Sequence, residues 1–302
     1  MSPRIAMMTE DAGWHGARLR EAFARRGCEV LTVSLCDCGI DLAAAPQGLT
    51  IPGFDGGLPD GVFVRSVPGG TLEQVVFYLD VLHALRALDI PVYNSGRAIE
   101  RSVDKAMTSL LLQRAGIPVP PTWVVAGPEQ GQAIWTRERA AGHRLVVKPL
   151  FGSQGEGLLR LSVEDALPAL EACQGVYYLQ RFVEGRDYDW RVFVINGKAV
   201  AAMQRHGRHW IKNVAQGATC IAAPRDAEVE ALAVASVEAL AMDYAGVDLM
   251  RDASDVLQVI EVNGIPAWKG VQAACRVDIA QCLVDDFCER YLLRNSVKAV
   301  GV

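Results

Sequence analysis

Three oxygen-bearing side chains near the C-terminus, Asp248, Glu261 and Asn263, are spaced so that a β-hairpin would gather them. Two strand-like segments flank the turn residues 252–255, and a turn centred there pairs Asp248 within a residue or two of Glu261. Asn263 shares the face of Glu261 because strand side chains alternate. Such oxygens are the ligands that Mg²⁺ prefers, so the pattern predicts a magnesium site. A solvated strand end is the alternative, but the apolar flanks disfavour it.

A second feature is Lys148, which ends a short apolar segment and precedes the glycine-rich residues 152–157. A lysine at the end of a buried strand rarely lacks a partner. Glycines allow backbone N–H groups to close over phosphate oxygens, and the lysine supplies a positive charge. The pattern predicts a loop that closes over phosphate oxygens. A plain turn beside a solvent-reaching lysine is the alternative, because neither the Walker spacing nor the dinucleotide fingerprint is present.

A third cluster is basic and falls on a predicted hairpin around Asn196-Gly197, the strongest short hairpin signal in the chain. Arg191 and Arg205 lie on its two strands, and Lys212-Asn213 follow it. Arginines on an apolar ribbon favour binding of a carboxylate or a transferring phosphoryl group. The alternative is ion pairing with acids of the same region, which are Glu184, Asp187 and Asp189.

The elements that must position these residues alternate between strands and helices, which predicts an α/β fold with a parallel N-terminal sheet. Strands are predicted at 4–8, 28–35, 61–65 and 90–93, with helices at 14–26 and 71–88. After the proline-rich linker 117–121 the β signals become denser. Helices are predicted there at 128–141, 163–173, 227–242 and 277–293.

Composition limits the class of protein. Of the 302 residues 51% are hydrophobic and 22% charged, as in globular proteins and unlike disordered chains. The net charge of −5 and the lack of a basic run argue against nucleic-acid binding. No signal peptide and no apolar run near the ~20 residues of a membrane span are recognisable. Eight cysteines without a CxxC pair favour reduced thiols, and we expect a cytoplasmic protein.

In their order along the chain, these clusters resemble the ATP-grasp superfamily, and more closely its RimK-like branch of α-L-glutamate ligases. The resemblance covers about residues 95–292. It rests on Ser102-Val103-Asp104-Lys105, Val147-Lys148-Pro149, the loop 152–157, residues 178–183, Asp189-Trp190-Arg191, Arg205, Asn213 with Gly217, Gly246-Val247-Asp248 and Glu261-Val262-Asn263.

The resemblance implies an ATP-grasp fold, in which two α+β lobes clamp ATP. It places a Rossmann-like pre-grasp domain at 1–96, a small lobe with the glycine-rich loop at 97–184, and a large lobe with the metal site at 185–302. Dimers and tetramers are common in the family, so the resemblance is compatible with a homo-oligomer, although the sequence does not give the oligomeric state.

The implied activity is ATP-dependent ligation. An acceptor carboxylate is phosphorylated, and the amine of L-glutamate attacks the acyl phosphate, with release of ADP and phosphate. The implied metal ligands for two Mg²⁺ ions, or Mn²⁺, are Asp248, Glu261 and Asn263. The implied nucleotide-binding residues are Lys105, Lys148, Gly152, Ser153, Gln154, Gly155, Gly157, Gln180, Arg181, Phe182, Val183 and Asp189. The implied catalytic residues are Arg191, Arg205 and Asn213.

Two segments depart from the branch. Residues 180–183 read Gln-Arg-Phe-Val in place of Gln-Glu-Tyr-Ile, and residues 264–270 read Gly-Ile-Pro-Ala-Trp-Lys-Gly where Ala-Ser-Pro-Gly is frequent. Trp268 would offer a surface for a ring to stack on, with Lys269 beside it for an acid. We therefore expect a small carboxylate-bearing coenzyme as acceptor, of the tetrahydromethanopterin or methylofuran type. Alternatives are packing of Trp268 on the last helix, a ribosomal protein tail as acceptor, another amine, and a non-catalytic nucleotide-binding protein.

Overall fold

The computed structural model describes residues 2–11, 13–43, 48–54, 56–152, 155–207, 209–212 and 217–293. The strands are β1 Arg4–Met8, β2 Glu29–Val33, β3 Gly39–Ile40, β4 Leu49–Thr50, β5 Gly61–Val64, β6 Val92–Tyr93, β7 Thr122–Val125, β8 Leu145–Lys148, β9 Leu159–Leu161, β10 Tyr177–Arg181, β11 Tyr188–Ile195, β12 Lys198–His206, β13 Thr219–Ala222, β14 Tyr244–Arg251 and β15 Leu257–Asn263. The helices are α1 Gly13–Arg25, α2 Leu72–Ala87, α3 Gly96–Val103, α4 Lys105–Arg114, α5 Pro128–Ala140, α6 Ala227–Ala239, α7 Lys269–Ala274 and α8 Ile279–Phe287.

The N-terminal sheet has the strand order β2-β1-β5-β6, and its neighbouring strands pair in parallel. Strand β5 is buried along its whole length, as expected for a strand covered on both faces. Helix α2 begins at a capping box, in which Thr71 and Gln74 each bond the other's backbone N–H. After β1 the chain forms β2 on one side of that strand, and it then crosses to form β5 on the other side.

The middle sheet has the order β7-β10-β8-β9 and is antiparallel. Helix α5 covers it through Trp135, which is almost fully buried. The helix predicted at 163–173 is wrong, since only a 3-10 turn forms there, at Leu170–Cys173. Pro168 lacks an N–H donor and disfavours helical geometry in the residue before it. Asp165 also turns the chain back, because it accepts hydrogen bonds from the backbone N–H and the hydroxyl of Ser162, both at 2.7 Å.

The C-terminal sheet has the order β13-β12-β11-β14-β15 and is antiparallel. Its first hairpin turns at Asn196 and Gly197, whose φ values of 47° and 68° are those of the predicted tight turn. Helix α6 packs on one face of this sheet, and the opposite face carries the polar residues discussed below. Strand β13 and the short helices α3 and α7 were not predicted from the sequence.

Trp268 contradicts its predicted role as a stacking surface for an acceptor ring. The side chain is 0% exposed and belongs to the core shared by the N-terminal sheet, the C-terminal sheet and α8. Its ring meets those of His15 and Phe193 edge-on, at 4.5 and 6.3 Å between centroids. The alternative of Trp268 as a packing residue is therefore the correct one.

Asn94 joins the N-terminal sheet to the C-terminal sheet. The residue is fully buried, and its Nδ2 donates to the carbonyl oxygens of Tyr244 and Gly264, both at 2.7 Å. Its Oδ1 accepts from the N–H groups of Asp243 at 2.7 Å and of Tyr244 at 3.3 Å. One side chain thus satisfies four backbone groups at the open end of the β14–β15 pair, where β14 begins and β15 ends.

No helix within the described residues is both long enough and apolar enough to cross a membrane.

We predict that Asn94→Ala lowers the free energy of unfolding by about 2–4 kcal/mol, because it leaves buried backbone groups without partners. Urea denaturation measures the difference. Gln132→Ala is the control, since Gln132 is exposed on α5 and bonds only Thr136, and it should change stability by less than about 0.5 kcal/mol. Equal stability of Asn94→Ala and wild type would contradict this role.

Candidate functional site

A pocket lies between the middle sheet and the C-terminal sheet. The start of α4 and the ends of β8 and β10 form one side, and β11, β12, β14 and β15 form the other. Its lining includes these residues chosen from the sequence: Lys105, Lys148, Gly152, Gly155, Gln180, Arg181, Phe182, Val183, Asp189, Arg205, Asp248 and Glu261. Gly157, Arg191 and Asn263 are not in the lining, and Ser153, Gln154 and Asn213 fall outside the described residues.

Asp248, Glu261 and Asn263 come together as the predicted hairpin requires. In the β14–β15 pairing Asp248 stands opposite Glu261, and Gly246 stands opposite Asn263. Directly paired residues of antiparallel strands share a face, so the two carboxylates and the amide face the same side of the sheet. Gly246 is needed here, because a Cβ at this position would lie 3.0 Å from the side chain of Pro266.

An irregularity in the pairing makes this arrangement compatible with a buried core. The register shifts between Asp248 and Leu249, so that Ile260 is an extra residue on β15. The resulting bulge lets Val259 and Val262, three positions apart, both pack against α6 while Glu261 faces the pocket. Strict alternation would not allow this, and Ile260 itself lines the pocket.

Asp248 is bound by two arginines. Arg191 donates from Nε to Oδ1 and from Nη2 to Oδ2, both at 2.7 Å, and Arg205 Nη2 lies 3.0 Å from Oδ2. Burial opposes the charge of Asp248, but the two guanidinium groups outweigh it and lower its pKa. The carboxylate is therefore ionised at neutral pH and fixed in position.

Arg205 also binds a second acid. It donates from Nε and Nη2 to the carboxylate of Asp189, at 2.7 and 2.9 Å. Burial raises the pKa of Asp189 to about 6 even with Arg205 beside it. Ion pairing, the alternative interpretation of the basic cluster, is thus observed for Arg205, whose partner Asp189 is one of the three acids considered. Arg191 is also paired, but with Asp248, which was not among those acids. Acids and arginines alternate across β12, β11 and β14.

Two lysines face these acids from the other side of the pocket. Lys105 Nζ donates to the carbonyl oxygen of Gly152 at 2.8 Å, at the base of the glycine-rich loop. Burial lowers the pKa of Lys148 from the usual 10.5 to about 8, an effect that Glu261 opposes and Lys105 reinforces. Neither lysine forms an ion pair with a carboxylate among the described residues, so both positive charges are available to an anionic ligand.

The end of β10 differs in detail from the expectation for an adenine-binding strand. Gln180 Nε2 donates to Thr122 Oγ1 at 2.9 Å and to the hydroxyl of Tyr178 at 3.2 Å. Arg181 stands where the branch has glutamate, and its Nε donates to Glu138 on α5 at 2.7 Å. Its guanidinium is therefore held on the face of the middle sheet that α5 covers. Phe182 meets Trp210 edge-on at 6.0 Å.

Sequence reasoning missed several residues of the lining. Tyr178 and Met250 lie two positions from Gln180 and Asp248 on the same strands, so strand alternation could have found them. Trp210 and Ile211 come from a segment without a regular pattern in the sequence, and nothing there signalled them.

The residues present fit magnesium and a nucleotide phosphate. Asn263 Nδ2 is buried with no hydrogen-bond partner among the described residues, so this donor can bind a phosphate oxygen, whereas a metal would be bound by the amide oxygen of the same side chain. Within the described part of the chain no three His, Cys, Asp or Glu residues cluster as a metal site. A metal here would thus rely on the two carboxylates, the Asn263 amide and oxygens of the bound phosphates, a donor set that suits Mg²⁺.

Comparison with known proteins identifies the fold and the family. A family model for the RimK-like ATP-grasp domain matches residues 102–287. The chain belongs to the RimK-like ATP-grasp family. The predicted family and the predicted enzyme class, an ATP-dependent ligase, are thereby confirmed.

The relatives of this ATP-grasp chain include glutamate ligases. A tetrahydromethanopterin:alpha-L-glutamate ligase of Methanococcus maripaludis is 33% identical over 233 residues, which cover 74% of this chain and 77% of that protein. A probable alpha-L-glutamate ligase of Aliivibrio salmonicida is 30% identical over 292 residues, or 94% of each protein. The ATP-grasp ligase PsnB, complexed with minimal precursor, Mg and ADP, superposes with a TM-score of 0.72 at 21% identity and covers 94% of this chain and 97% of its own. That similarity shows the ATP-grasp fold.

We predict that Lys148→Met stabilises the ligand-free protein by roughly 1–3 kcal/mol at pH 7, since it removes a buried charge. A pKa of about 8 in the fold against 10.5 unfolded means that the unfolded chain binds more protons in this interval. Wild-type stability should therefore rise as the pH increases from 8 to 10.5, and Lys148→Met should lose that part of the rise.

Urea denaturation without nucleotide at several pH values tests this prediction. Lys198→Met is the matched control, because Lys198 is exposed on β12. A Lys148→Met protein less stable than wild type at pH 7 would show that the lysine is stabilised by its surroundings.

Proposed function

We propose that this protein ligates L-glutamate to a carboxylate acceptor at the expense of ATP, through an acyl phosphate. The observation that carries the proposal is the arrangement of one pocket. Lys105 and Lys148 lie on one side of the pocket, and Asp248 and Glu261 lie on the other. Neither lysine has a carboxylate partner among the described residues. Positive groups for phosphates opposite acidic groups for a metal are what phosphoryl transfer requires.

In this proposal the two sides of the pocket bind different parts of Mg-ATP. Lys105, Lys148 and the glycines at 152, 155 and 157 bind phosphate oxygens, and the segment 180–183 borders the adenine. The two lysines would offset the negative charge of the phosphates. The small lobe at 97–184 and the large lobe at 185–302 are then the two halves of the clamp, with 1–96 as a Rossmann-like pre-grasp domain.

Asp248, Glu261 and Asn263 would hold the magnesium, as two ions or with Mn²⁺ in their place. A bound ion supplies Lewis acidity and neutralises charge that develops during phosphoryl transfer. The protein fixes these ligands through the β-bulge at Ile260 and through the arginines that bind Asp248. Because both oxygens of Asp248 already accept hydrogen bonds from arginine, a metal would use their remaining lone pairs.

Arg191 and Arg205 would keep positive charge next to the acyl phosphate and the tetrahedral intermediate. Their ion pairs with Asp248 and Asp189 set the position of both guanidinium groups before substrate arrives. Such preorganised charge needs no rearrangement during reaction. Asn213 keeps its proposed catalytic role from the family resemblance alone.

For the acceptor we propose a small carboxylate-bearing coenzyme of the tetrahydromethanopterin or methylofuran type. The support is the name of the Methanococcus relative and the net charge of −5, which does not favour docking on a ribosome. Buried Trp268 no longer contributes to this argument.

We predict that Glu261→Gln reduces ligation at least about a thousandfold, a loss of roughly 4 kcal/mol of transition-state stabilisation, because the amide weakens metal binding. ADP release in the presence of glutamate and acceptor measures it, and circular dichroism checks the fold. Glu238→Gln is the control, since Glu238 is exposed on α6. Near-normal turnover of Glu261→Gln at low magnesium would exclude Glu261 as a ligand.

The acceptor is tested by offering labelled L-glutamate with ATP to low-molecular-weight cell extract and, separately, to small ribosomal subunits. We expect label in the small-molecule fraction, with a mass increase of one or more glutamate residues. Label in a ribosomal protein alone would replace the coenzyme by a protein acceptor. ATP binding without ligation of any amine would favour a non-catalytic role.

A further inference from the structure

Arg65 is a partly buried arginine, outside the pocket described above, that has no acidic partner among the residues that the structure describes. It directly follows β5, and its Nη1 donates to the carbonyl oxygen of Ile265 at 3.4 Å. Its guanidinium carbon lies 5.0 Å from the centre of the Trp268 ring. Nε is fully buried with no hydrogen-bond partner among the described residues, and burial lowers the pKa of this arginine. A buried, unpaired arginine is costly unless a ligand completes it.

The Nε–Nη2 edge of Arg65 is unpaired, and other arginines of this protein use the same edge to bind carboxylates. Arg191 and Arg205 each use Nε and Nη2 to bind both oxygens of an aspartate. On Arg65 the same two atoms have no partner among the residues that the structure describes, but Nε is closed off from solvent, so a carboxylate first meets Nη2 and reaches Nε only when the guanidinium turns outward. This edge of a guanidinium matches the spacing of the two oxygens in a carboxylate.

The surroundings of Arg65 are also positive or neutral. Burial, with the charges of Arg65 and Lys269, lowers the pKa of His15 from 6.5 to about 4, so His15 is neutral at pH 7. Its Nε2 accepts the backbone N–H of Trp268 at 3.2 Å, which leaves the proton on Nδ1 as a donor. Neither Arg65 nor Lys269 has an ion-pair partner within the described residues.

The position in the fold is one where α/β proteins bind ligands. The chain leaves β1 toward β2 on one side and reaches β5 on the other, so the crevice between the carboxyl ends of β1 and β5 is a topological switch point. Arg65 follows the end of β5. His15 lies in the first turn of α1, the helix that follows β1.

The segment 264–268 connects this crevice to the metal-binding strand. It begins directly after Asn263, Pro266 packs against Gly246, and the Ile265 carbonyl and the Trp268 ring hold Arg65. The distance along the chain from Asn263 to the Trp268 ring is five residues. A substrate bound at Arg65 would therefore lie beside the end of β15.

We propose that Arg65, with His15 and Lys269, forms a carboxylate-binding subsite for one of the two substrates that are joined. The proposal rests on the proposed ligase function, and it deepens it by naming a residue that selects substrates. Glutamate that reacts through its amine still has two carboxylates to be bound, and the acceptor carries a carboxylate by definition. Arg65 binds one of these groups side-on, and Lys269 attracts it from the surface.

The test uses the enzyme saturated with Mg²⁺ and a non-hydrolysable ATP analogue, with glutarate as a dicarboxylate probe that has no amine. Calorimetry measures its affinity, and NMR follows the His15 ring signals during the titration. We expect Arg65→Lys, which keeps the charge but loses the two-point contact, to weaken glutarate at least about tenfold. Lys269→Met should weaken it less, and both variants should bind the ATP analogue normally.

Arg4→Lys is the matched control. Arg4 also lies over an aromatic ring, that of Phe54 at 4.7 Å, and donates to a backbone carbonyl, that of Gly53 at 2.6 Å, but it sits at the opposite end of β1. It should bind glutarate like wild type. If Arg65→Lys does not fold, the wild-type His15 signals and the exposed Lys269→Met variant still decide the question.

Displacement of glutarate by L-glutamate would assign the subsite to the amine donor, and displacement only by N-acetyl-L-glutamate would assign it to the acceptor. Unchanged affinity in Arg65→Lys, or His15 signals that do not move with glutarate, would overturn the subsite. Normal ligation of glutamate by Arg65→Lys with unchanged KM values would overturn it while the ligase function stands. Glutarate binding through Arg65 without any glutamate ligation would leave the subsite and remove glutamate as the substrate.

Discussion

The pairing of Asp248 with two arginines is the interaction around which the site is arranged. A buried carboxylate costs several kcal/mol unless its charge is matched, and here Arg191 matches it while Arg205 is shared with Asp189. The resulting row fixes three neighbouring strands relative to one another. Removing one member would leave an uncompensated buried charge, at a cost of about 3–5 kcal/mol. The pocket can therefore carry a dense set of charges because most of them are neutralised within the protein.

Charges that the protein does not neutralise then indicate where ligands bind. Lys105 and Lys148 point toward the acidic row without pairing with it, and the burial that lowers the pKa of Lys148 to about 8 is a cost that the fold alone does not recover. Phosphate oxygens would recover it, since an anion favours the protonated lysine. Arg65 presents the same situation at the carboxyl end of the N-terminal sheet, with a guanidinium edge suited to a carboxylate. Under the proposed function, phosphate and carboxylate groups would therefore have separate cationic partners.

Sequence reasoning succeeded where local patterns decide the structure. Alternation and one turn were enough to place Asp248 within a residue or two of Glu261, and Asn196-Gly197 fixed the other hairpin. It failed where a single residue overrides a pattern, as Pro168 does in the helix expected at 163–173. The β-bulge at Ile260 has no signature in the sequence, although it makes the metal-ligand face compatible with the core. The roles proposed for the site residues, including Ser153, Gln154 and Asn213, still rest on the family resemblance.

Trp268 shows how a residue can matter to substrate binding without touching a ligand. Its burial depends on contacts with Phe193 and His15, which are distant in sequence, so local pattern could not show it. Once buried, its ring lies against the guanidinium of Arg65, and its backbone N–H donates to Nε2 of His15 and so sets the tautomer of that histidine. Only four residues separate Trp268 from Asn263, so the ring lies close in the chain both to the proposed metal ligand and to the proposed carboxylate subsite. The segment Gly-Ile-Pro-Ala-Trp-Lys-Gly after Asn263 therefore packs its tryptophan into the core instead of offering it as a contact surface for an acceptor. Any effect of this segment on substrate binding would act through the groups that it positions, such as Arg65 and His15.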